Sequence, residues 1–230
     1  MRTVAAGPWV RKGSRVIKVC SGFDGGDRFV DDERGQLVLD KTLPYYNVIM
    51  KRRPGLPMVA WPLPVGFSWA GFAPGQAIDW GYIEASVGEF ATTKEAVEYF
   101  QRTYLPKVEE LPGRVVFVRA ENGEAVGTVT SWWNDTGTRR DPSLHWLAVV
   151  PEYQGLGLGK ALVSECLRRL ALLEGDRDVF LHTQTWSYRA IAIYLNAGFE
   201  FVEDESFGNY PNDYELAISV LRKVLPGLGR

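Results

Sequence analysis

Gly155, Gly157 and Gly159 stand at alternate positions directly before Lys160, behind an apolar run from Leu144 to Val150 that only His145 interrupts. Glycines so placed leave their backbone amides unobstructed, and the lysine adds positive charge, a combination that suits an anion and above all a phosphate. The apolar run reads as a buried strand closed by Pro151. From Leu158 the apolar positions Ala161, Leu162, Cys166, Leu170 and Leu173 recur at steps of three and four, which is helical spacing. The helix therefore begins inside the glycines. Its free N–H groups and the positive end of its dipole point at whatever lies over the turn.

Two common phosphate loops do not fit this spacing. A Walker loop needs Gly, four residues, Gly-Lys and then Ser or Thr for magnesium, whereas Gln154 stands where the first Gly belongs and Ala161 follows Lys160. A dinucleotide fingerprint needs Gly-x-Gly-x-x-Gly, and these glycines fall as Gly-x-Gly-x-Gly. The segment instead resembles the acetyl-CoA loop of the GCN5-related N-acetyltransferase (GNAT) family. That pattern is Gln or Arg, two residues, Gly, one residue, Gly or Ala, and Gln154, Gly157 and Gly159 match it.

A second segment extends the resemblance. Val179 to Thr185 reads as a strand, Ser187 as a cap, and Ala190, Ile191 and Tyr194 as one face of a helix that Gly198 ends before Phe199 starts the next strand. The family carries a strand, a short helix with an inward tyrosine and a Gly-Phe ending in this order. Its cap is often Asn, which bonds the CoA arm; Ser187 is the shorter group here. The resemblance rests on these two motifs and covers roughly residues 66 to 225.

The resemblance implies transfer of an acetyl group from acetyl-CoA, as cosubstrate, to a primary amine by direct attack in a ternary complex, without a side-chain nucleophile. The pyrophosphate then meets the backbone of Gly155, Leu156, Gly157, Leu158, Gly159 and Lys160, with Gln154 opening the loop and Ser187 near the arm. The pantetheine pairs with the backbone of Leu147, Ala148 and Val149, where an amide can also face the thioester oxygen, a role worth about 3 kcal/mol per donor. A thiol titrates near about 8.5 and a phenol near about 10, so Tyr194 suits protonation of the departing thiolate. An ammonium acceptor, with a pKa of about 10.4, must lose a proton first. His182, twelve residues before Tyr194, is assigned as the base, since an imidazole titrates near neutrality, and His145, Glu84 and Glu89 are rivals, Glu84 on what reads as a solvated helix face. Asp135, Arg139 and Arg140 are further groups that could meet an acceptor.

These residues need a scaffold. Ala77 to Val87 and Thr93 to Tyr104 read as helices, the second opened by a Thr92/Glu95 capping box. Arg114 to Ala120 and Glu124 to Trp133 read as a hairpin turning at Asn122-Gly123. With the strand at Leu144, the glycine-loop helix, the strand at Val179, the tyrosine helix and terminal strands at Phe199 to Glu203 and Asp213 to Val220, the expectation is an α/β fold. It is the GNAT acyl-CoA N-acyltransferase type: a mixed central sheet with splayed strands, flanked by helices, plus an N-terminal extension. The domain is placed at 66–225. Residues 1–65 are read as an extension in which Val16 to Cys20, Leu37 to Leu39 and Asn47 to Met50 form a small sheet, followed by a Pro-rich connector carrying Trp61.

Composition narrows the partners. The chain has 230 residues, 46% of them hydrophobic, and a formal net charge of −2, so neither disorder nor a basic nucleic-acid surface is indicated. Arg11, Lys12, Arg15 and Lys18 interrupt the N-terminus, and no apolar run reaches membrane-spanning length, from which a cytoplasmic protein with no membrane partner is expected. The acidic stretch from Asp24 to Glu33 lacks the alternating ligands of a calcium loop and reads as a solvated turn. Two cysteines and two histidines without ligand spacing argue against a metal. The acceptor is left as a small-molecule or peptide amine. Terminal strands of such folds often pair between subunits, which leaves a homodimer open. Two other functions compete: a CoA-binding or sensing domain without turnover, and an interaction protein that uses the fold as a scaffold.

Overall fold

A central strand buried along both faces organises the molecule, because the hairpin segment from Ala125 to Trp133 is apolar or hydroxylic throughout and is covered by helices on either side. The computed structural model describes residues 39–135, 139–225 and 227–228. Its strands are β1 (Asn47–Arg52), β2 (Phe67–Gly71), β3 (Val115–Ala120), β4 (Ala125–Asp135), β5 (Arg140–Val149), β6 (Val179–Gln184) and β7 (Glu200–Phe201). Its helices are α1 (Ala77–Ser86), α2 (Thr93–Thr103), α3 (Leu111–Arg114), α4 (Leu158–Glu174), α5 (Tyr188–Asn196) and α6 (Tyr214–Val224).

The strands form one seven-stranded sheet in the order β2-β3-β4-β5-β6-β1-β7. Every neighbouring pair is antiparallel except β5 and β6, which α4 connects as a crossover. That one parallel pair is also the shortest: Ser143 opposite Phe180 is its single register position, and beyond it the strands part. The expected mixed sheet with splayed strands is thus present.

Apolar side chains pack on both faces. On one, Leu158, Leu162, Cys166 and Leu170 of α4 meet Ile191 and Tyr194 of α5 and Ala217 and Leu221 of α6. On the other, Trp80 of α1, Phe100 of α2, Tyr104, Phe117 and Trp132 form an aromatic core. Gly81 makes the α1–α2 approach feasible, since a Cβ there would lie 2.6 Å from Val97 Cγ2. Thr92 caps α2 by accepting from the Glu95 amide at 3.2 Å.

Two expectations change. Asn47–Arg52 does not belong to a separate small sheet; it is inserted into the central one between β6 and β7, pairing Ile49 with His182. The segment Asp213 to Val220 is not a terminal strand but lies largely in α6. Tyr214, Leu216, Ile218 and Val220 alternate as a strand would, yet the buried residues are Ala217, Ile218, Val220 and Leu221, which share a helical face packed toward β1. Glu215 in its first turn and Arg222 and Lys223 in its last suit the helix dipole. The runs from Val16 to Cys20 and over 37–38, and the acidic stretch from Asp24 to Glu33, lie outside the described residues.

Candidate active site

The strand-to-helix turn is built as its glycines require. Gly155 and Gly157 have φ of 78° and 91°, a region that costs other residues about 1–2 kcal/mol, and Gly157 is the residue on which α4 starts. A Cβ on Gly159 would come within 3.3 Å of Ile193 Cδ1, so glycine there lets α5 approach the first turn of α4. Leu158 turns its side chain into the core, leaving its amide at the open end of the helix. Gln154 donates from Nε2 to the Val149 carbonyl at 2.8 Å, closing the loop back on β5.

Over this turn lies a cavity of about 410 Å³ lined by Gly155, Gly157, Gly159, Lys160, Arg189 and Ile193, among others. Arg189 was not singled out in the sequence; it stands two residues past Ser187, and a guanidinium beside a glycine turn is the second cation an anion would meet. Ser187 sits at the start of α5 without making a side-chain cap, contrary to expectation. It lines the adjoining cavity instead of this one.

That adjoining cavity, about 360 Å³, is bounded by Glu84, Glu89, His145, His182 and Tyr194 together with several aromatic rings. Leu147 and Ala190 line both cavities, so they are the two ends of one cleft in the gap between β5 and β6. The assigned acid and all four groups weighed as bases therefore meet in one chamber.

A bulge shapes the junction. Thr128 pairs with Ala148 and Thr130 with His145, so that Trp146 and Leu147 together oppose Val129. Trp146 takes φ of 52°, unusual for a bulky residue, and its ring is held by Trp80, Phe90 and Tyr99 with centroids 5.2 to 5.5 Å away. Neither Trp146 nor Leu147 has a register partner on β4 or β6, which leaves their backbone groups at the cleft. Ala148 and Val149 resume the ladder opposite Thr128 and Gly127, and the Val149 carbonyl is occupied by Gln154. Among the three residues expected to offer their backbone, Leu147 is the one best placed.

Burial sets the proton affinities. Tyr194 is 5% exposed, packs edge-on against Phe199, and is held well above the usual phenol range first by burial and then by Cys166, Glu89 and Glu84. Glu84, expected on a solvated helix face, is 1% exposed; burial and the neighbouring Glu89 push its carboxyl well up, and its Oε1 has no hydrogen-bond partner among the described residues. Glu89, reachable by solvent at the chamber mouth, is raised by its enclosure, with an opposing hydrogen bond from Gln184 Nε2 at 3.2 Å and the charge of Lys41.

The histidines differ in their partners. His145 spends both nitrogens on hydroxyls, Nδ1 at 3.1 Å from Tyr104 and Nε2 at 2.8 Å from Ser143, and burial lowers it to about 4. His182 is also lowered to about 4 by burial, away from the value near neutrality expected of a base. Its Nε2 lies 2.9 Å from Asn47 Oδ1, while Asn47 Nδ2 donates to Asp213 Oδ2 at 2.8 Å. Asn47 must then accept from His182, which places the proton on Nε2 and the lone pair on Nδ1. Neither Asn47 nor Asp213 was legible as a site residue, because their elements were misplaced.

Arg139 and Arg140 do not reach this cleft. Arg139 pairs with Asp141 at 2.6 Å, and Arg140 stacks on Trp133 and joins Arg114 in gripping Glu174 at 2.7 Å. Asp135 ends β4 and does not line the chamber. Segment 39–46 does reach it. Asp40 N donates to Trp186 O, Trp186 Nε1 to Leu43 O and Thr185 Oγ1 to Pro44 O, binding this stretch across the start of α5. No group of three or more metal-ligating side chains occurs among the described residues, and no described helix is long and apolar enough to cross a membrane.

A splayed mixed sheet with a glycine turn over its gap defines an acyltransferase-type α/β sandwich. Residues 79–199 match the model of the Acetyltransferase (GNAT) family. The chain belongs to that family. It is similar to N-acetyltransferase 8B of Rattus norvegicus, 38% identical over 84 residues, which are 35% of this chain and 37% of that relative. Its fold is similar to that of a GCN5-related N-acetyltransferase from Sphaerobacter thermophilus, with a TM-score of 0.55, 20% identity, and 70% of this chain and 49% of that one covered. A GNAT-family acetyltransferase from Colwellia psychrerythraea gives 0.53 at 12% identity over 69% of this chain and 54% of that one. The chain thus spans little more than a third of the curated relative and about half of these structures.

Proposed function

We propose that the protein is an N-acetyltransferase that takes the acetyl group from acetyl-CoA and delivers it to a primary amine by direct attack. The observation that carries the reading is the continuous cleft: a glycine turn flanked by Lys160 and Arg189 at one end, and Tyr194 with paired carboxylates at the other, joined at Leu147 and Ala190.

The residues present suit this cosubstrate. The amides at the head of α4, with Lys160 and Arg189, would hold the diphosphate, and the backbone at Trp146 and Leu147 would hold the arm and face the thioester carbonyl. Acetyl-CoA supplies the acyl group as an activated thioester. Glu89, with its raised proton affinity and access to solvent, takes one proton from the incoming ammonium and passes it outward. His182, neutral at pH 7, offers its Nδ1 lone pair to the remaining N–H and orients the nitrogen. As the C–N bond forms and the C–S bond breaks, Tyr194 delivers its proton to sulfur and regains one shed by the nitrogen. One proton leaves for solvent and one ends on the thiol. Burial of Tyr194 keeps the phenol protonated for that step.

The test is thiol release from acetyl-CoA against a panel of primary amines, with CoA affinity measured by calorimetry. Amine-dependent release is expected. CoA binding without release favours the sensing reading, and absence of CoA binding overturns both.

A further inference from the structure

The chamber around Tyr194 has a composition that selects among amines. Among the described residues, six further aromatic side chains besides Tyr194 line it: Tyr45, Tyr99, Trp146, Trp186, Phe207 and Tyr210. Aromatic faces attract cations and accept flat or apolar groups, and they offer little to an anion. Two carboxyl groups, Glu84 and Glu89, share the space, and no arginine lines it among the described residues. Both histidines are uncharged at neutral pH. Lys41 is the one lining lysine among the described residues; its Nζ reaches the Gly88 carbonyl at 3.4 Å and lies 5.5 Å from the Trp186 ring centroid, where its charge acts on Glu89. Glu84 is left uncompensated.

Glu84 is the decisive group. It is buried on α1 with 1% exposure, it lines the chamber, and its Oε1 has no hydrogen-bond partner among the described residues. A buried oxygen without a donor is costly in a folded protein, and one that faces a cavity is an acceptor waiting for a ligand N–H. Burial makes the group costly to ionise where it sits, so its charged form needs the bidentate donors of an arginine or a cationic ligand; no arginine lines the chamber among the described residues, which leaves the ligand. Volume adds a limit: about 360 Å³ is at the small end of ligand pockets.

We infer that the acceptor is a small arylalkylamine: one primary ammonium, whose N–H is donated to Glu84 Oε1, on a short chain ending in an aromatic ring that packs among Tyr99, Trp146 and Tyr210, with no carboxylate. A free amino acid would bring its own carboxylate against Glu84 and Glu89. A polyamine would bring a second ammonium toward Glu89, where the charge of Lys41 already stands. This inference rests on the acetyltransferase reading, since it assigns the occupant of the same cleft.

The experiment is calorimetry on the full chain with CoA already bound, using 2-phenylethylamine, phenylalanine, 2-phenylethanol and spermidine as probes. Binding of 2-phenylethylamine is expected to be at least about tenfold tighter than that of each of the other three. In Glu84→Gln its advantage over 2-phenylethanol should shrink by about tenfold. Should Glu84→Gln fail to fold, quenching of tryptophan fluorescence by the same four probes in the native protein reads the ranking alone. A preference for phenylalanine or spermidine, or no discrimination among the four, overturns the inference. Failure of CoA itself to bind would instead overturn the reading on which it rests.

Discussion

His182 and Tyr210 lie face to face, with ring centroids 3.5 Å apart and planes 7° from parallel. One residue comes from β6 and the other from the loop before α6, so the stack joins two parts of the chain across the chamber wall. With Asn47 holding the ring edge through Nε2 at 2.9 Å, the imidazole is fixed on its face and at one nitrogen. Only Nδ1 is left to meet a ligand.

Replacing Asn47 by alanine removes the acceptor that selects this tautomer. The expected result is a mixed tautomer population at His182, visible in its 15N shifts, and a fall in kcat of about tenfold with the KM for acetyl-CoA unchanged. A kcat equal to that of the native protein would show that ring orientation does not govern turnover.

Tyr194→Phe keeps the ring and its edge-on contact with Phe199 but removes the transferable proton. Amine-dependent turnover should drop by about 100-fold or more while CoA affinity and the melting temperature stay near native values. Because burial holds this phenol above its ordinary range, the native protein should show no loss of rate from phenol ionisation up to about pH 10. A kcat close to native in the phenylalanine variant would remove Tyr194 from the reaction.

Arg189 and Lys160 flank the glycine turn and both side chains reach solvent. Arg189→Ala should raise the KM for acetyl-CoA about tenfold and leave kcat unchanged, since a charge contact to the carrier end is present equally in ground and transition states. The CoA affinity of the variant should also respond less steeply to salt. A fall in kcat instead would place Arg189 in the chemistry.

Much of this site was legible because short-range chemistry dictates it. The glycine turn, the start of the helix at Leu158 and the inward Tyr194 follow from residue type and spacing alone, and the structure places them accordingly. Other parts depend on distant partners. Tyr214 to Val220 alternates well enough to pass for a strand, and only packing toward β1 selects the helix. Asn47 sits in an ordinary apolar run, and its role appears only once that run is inserted beside β6 and Asp213 is brought to it. The bulge at Trp146 has no local signal, because positive φ in a tryptophan is imposed by the rings around it. The histidine near neutrality fails for a related reason: burial is a property of the fold, and it moves His182 to about 4.

Stability against pH separates the ionisable groups by sign. His145 and His182 titrate at about 4 in the fold and near about 6.5 in the unfolded chain, so the unfolded state takes up protons that the fold refuses. Their stabilising effect is complete above about pH 6.5 and is lost as pH falls toward 4, by roughly 3 kcal/mol at most for each. Glu84 acts in the opposite direction. Its folded carboxyl is raised above the unfolded value of about 4.3, so its favourable state lies below that pH and is lost as pH rises through the folded value. Glu84→Gln removes the ionisation while keeping the shape. The variant's melting temperature, compared with that of the native protein, should therefore improve progressively from pH 4 to pH 8, against a common decline of both proteins at acid pH from the histidines. A difference between the two that does not change with pH would mean that Glu84 carries no buried charge, and with it the acceptor site would lose its anchoring carboxylate.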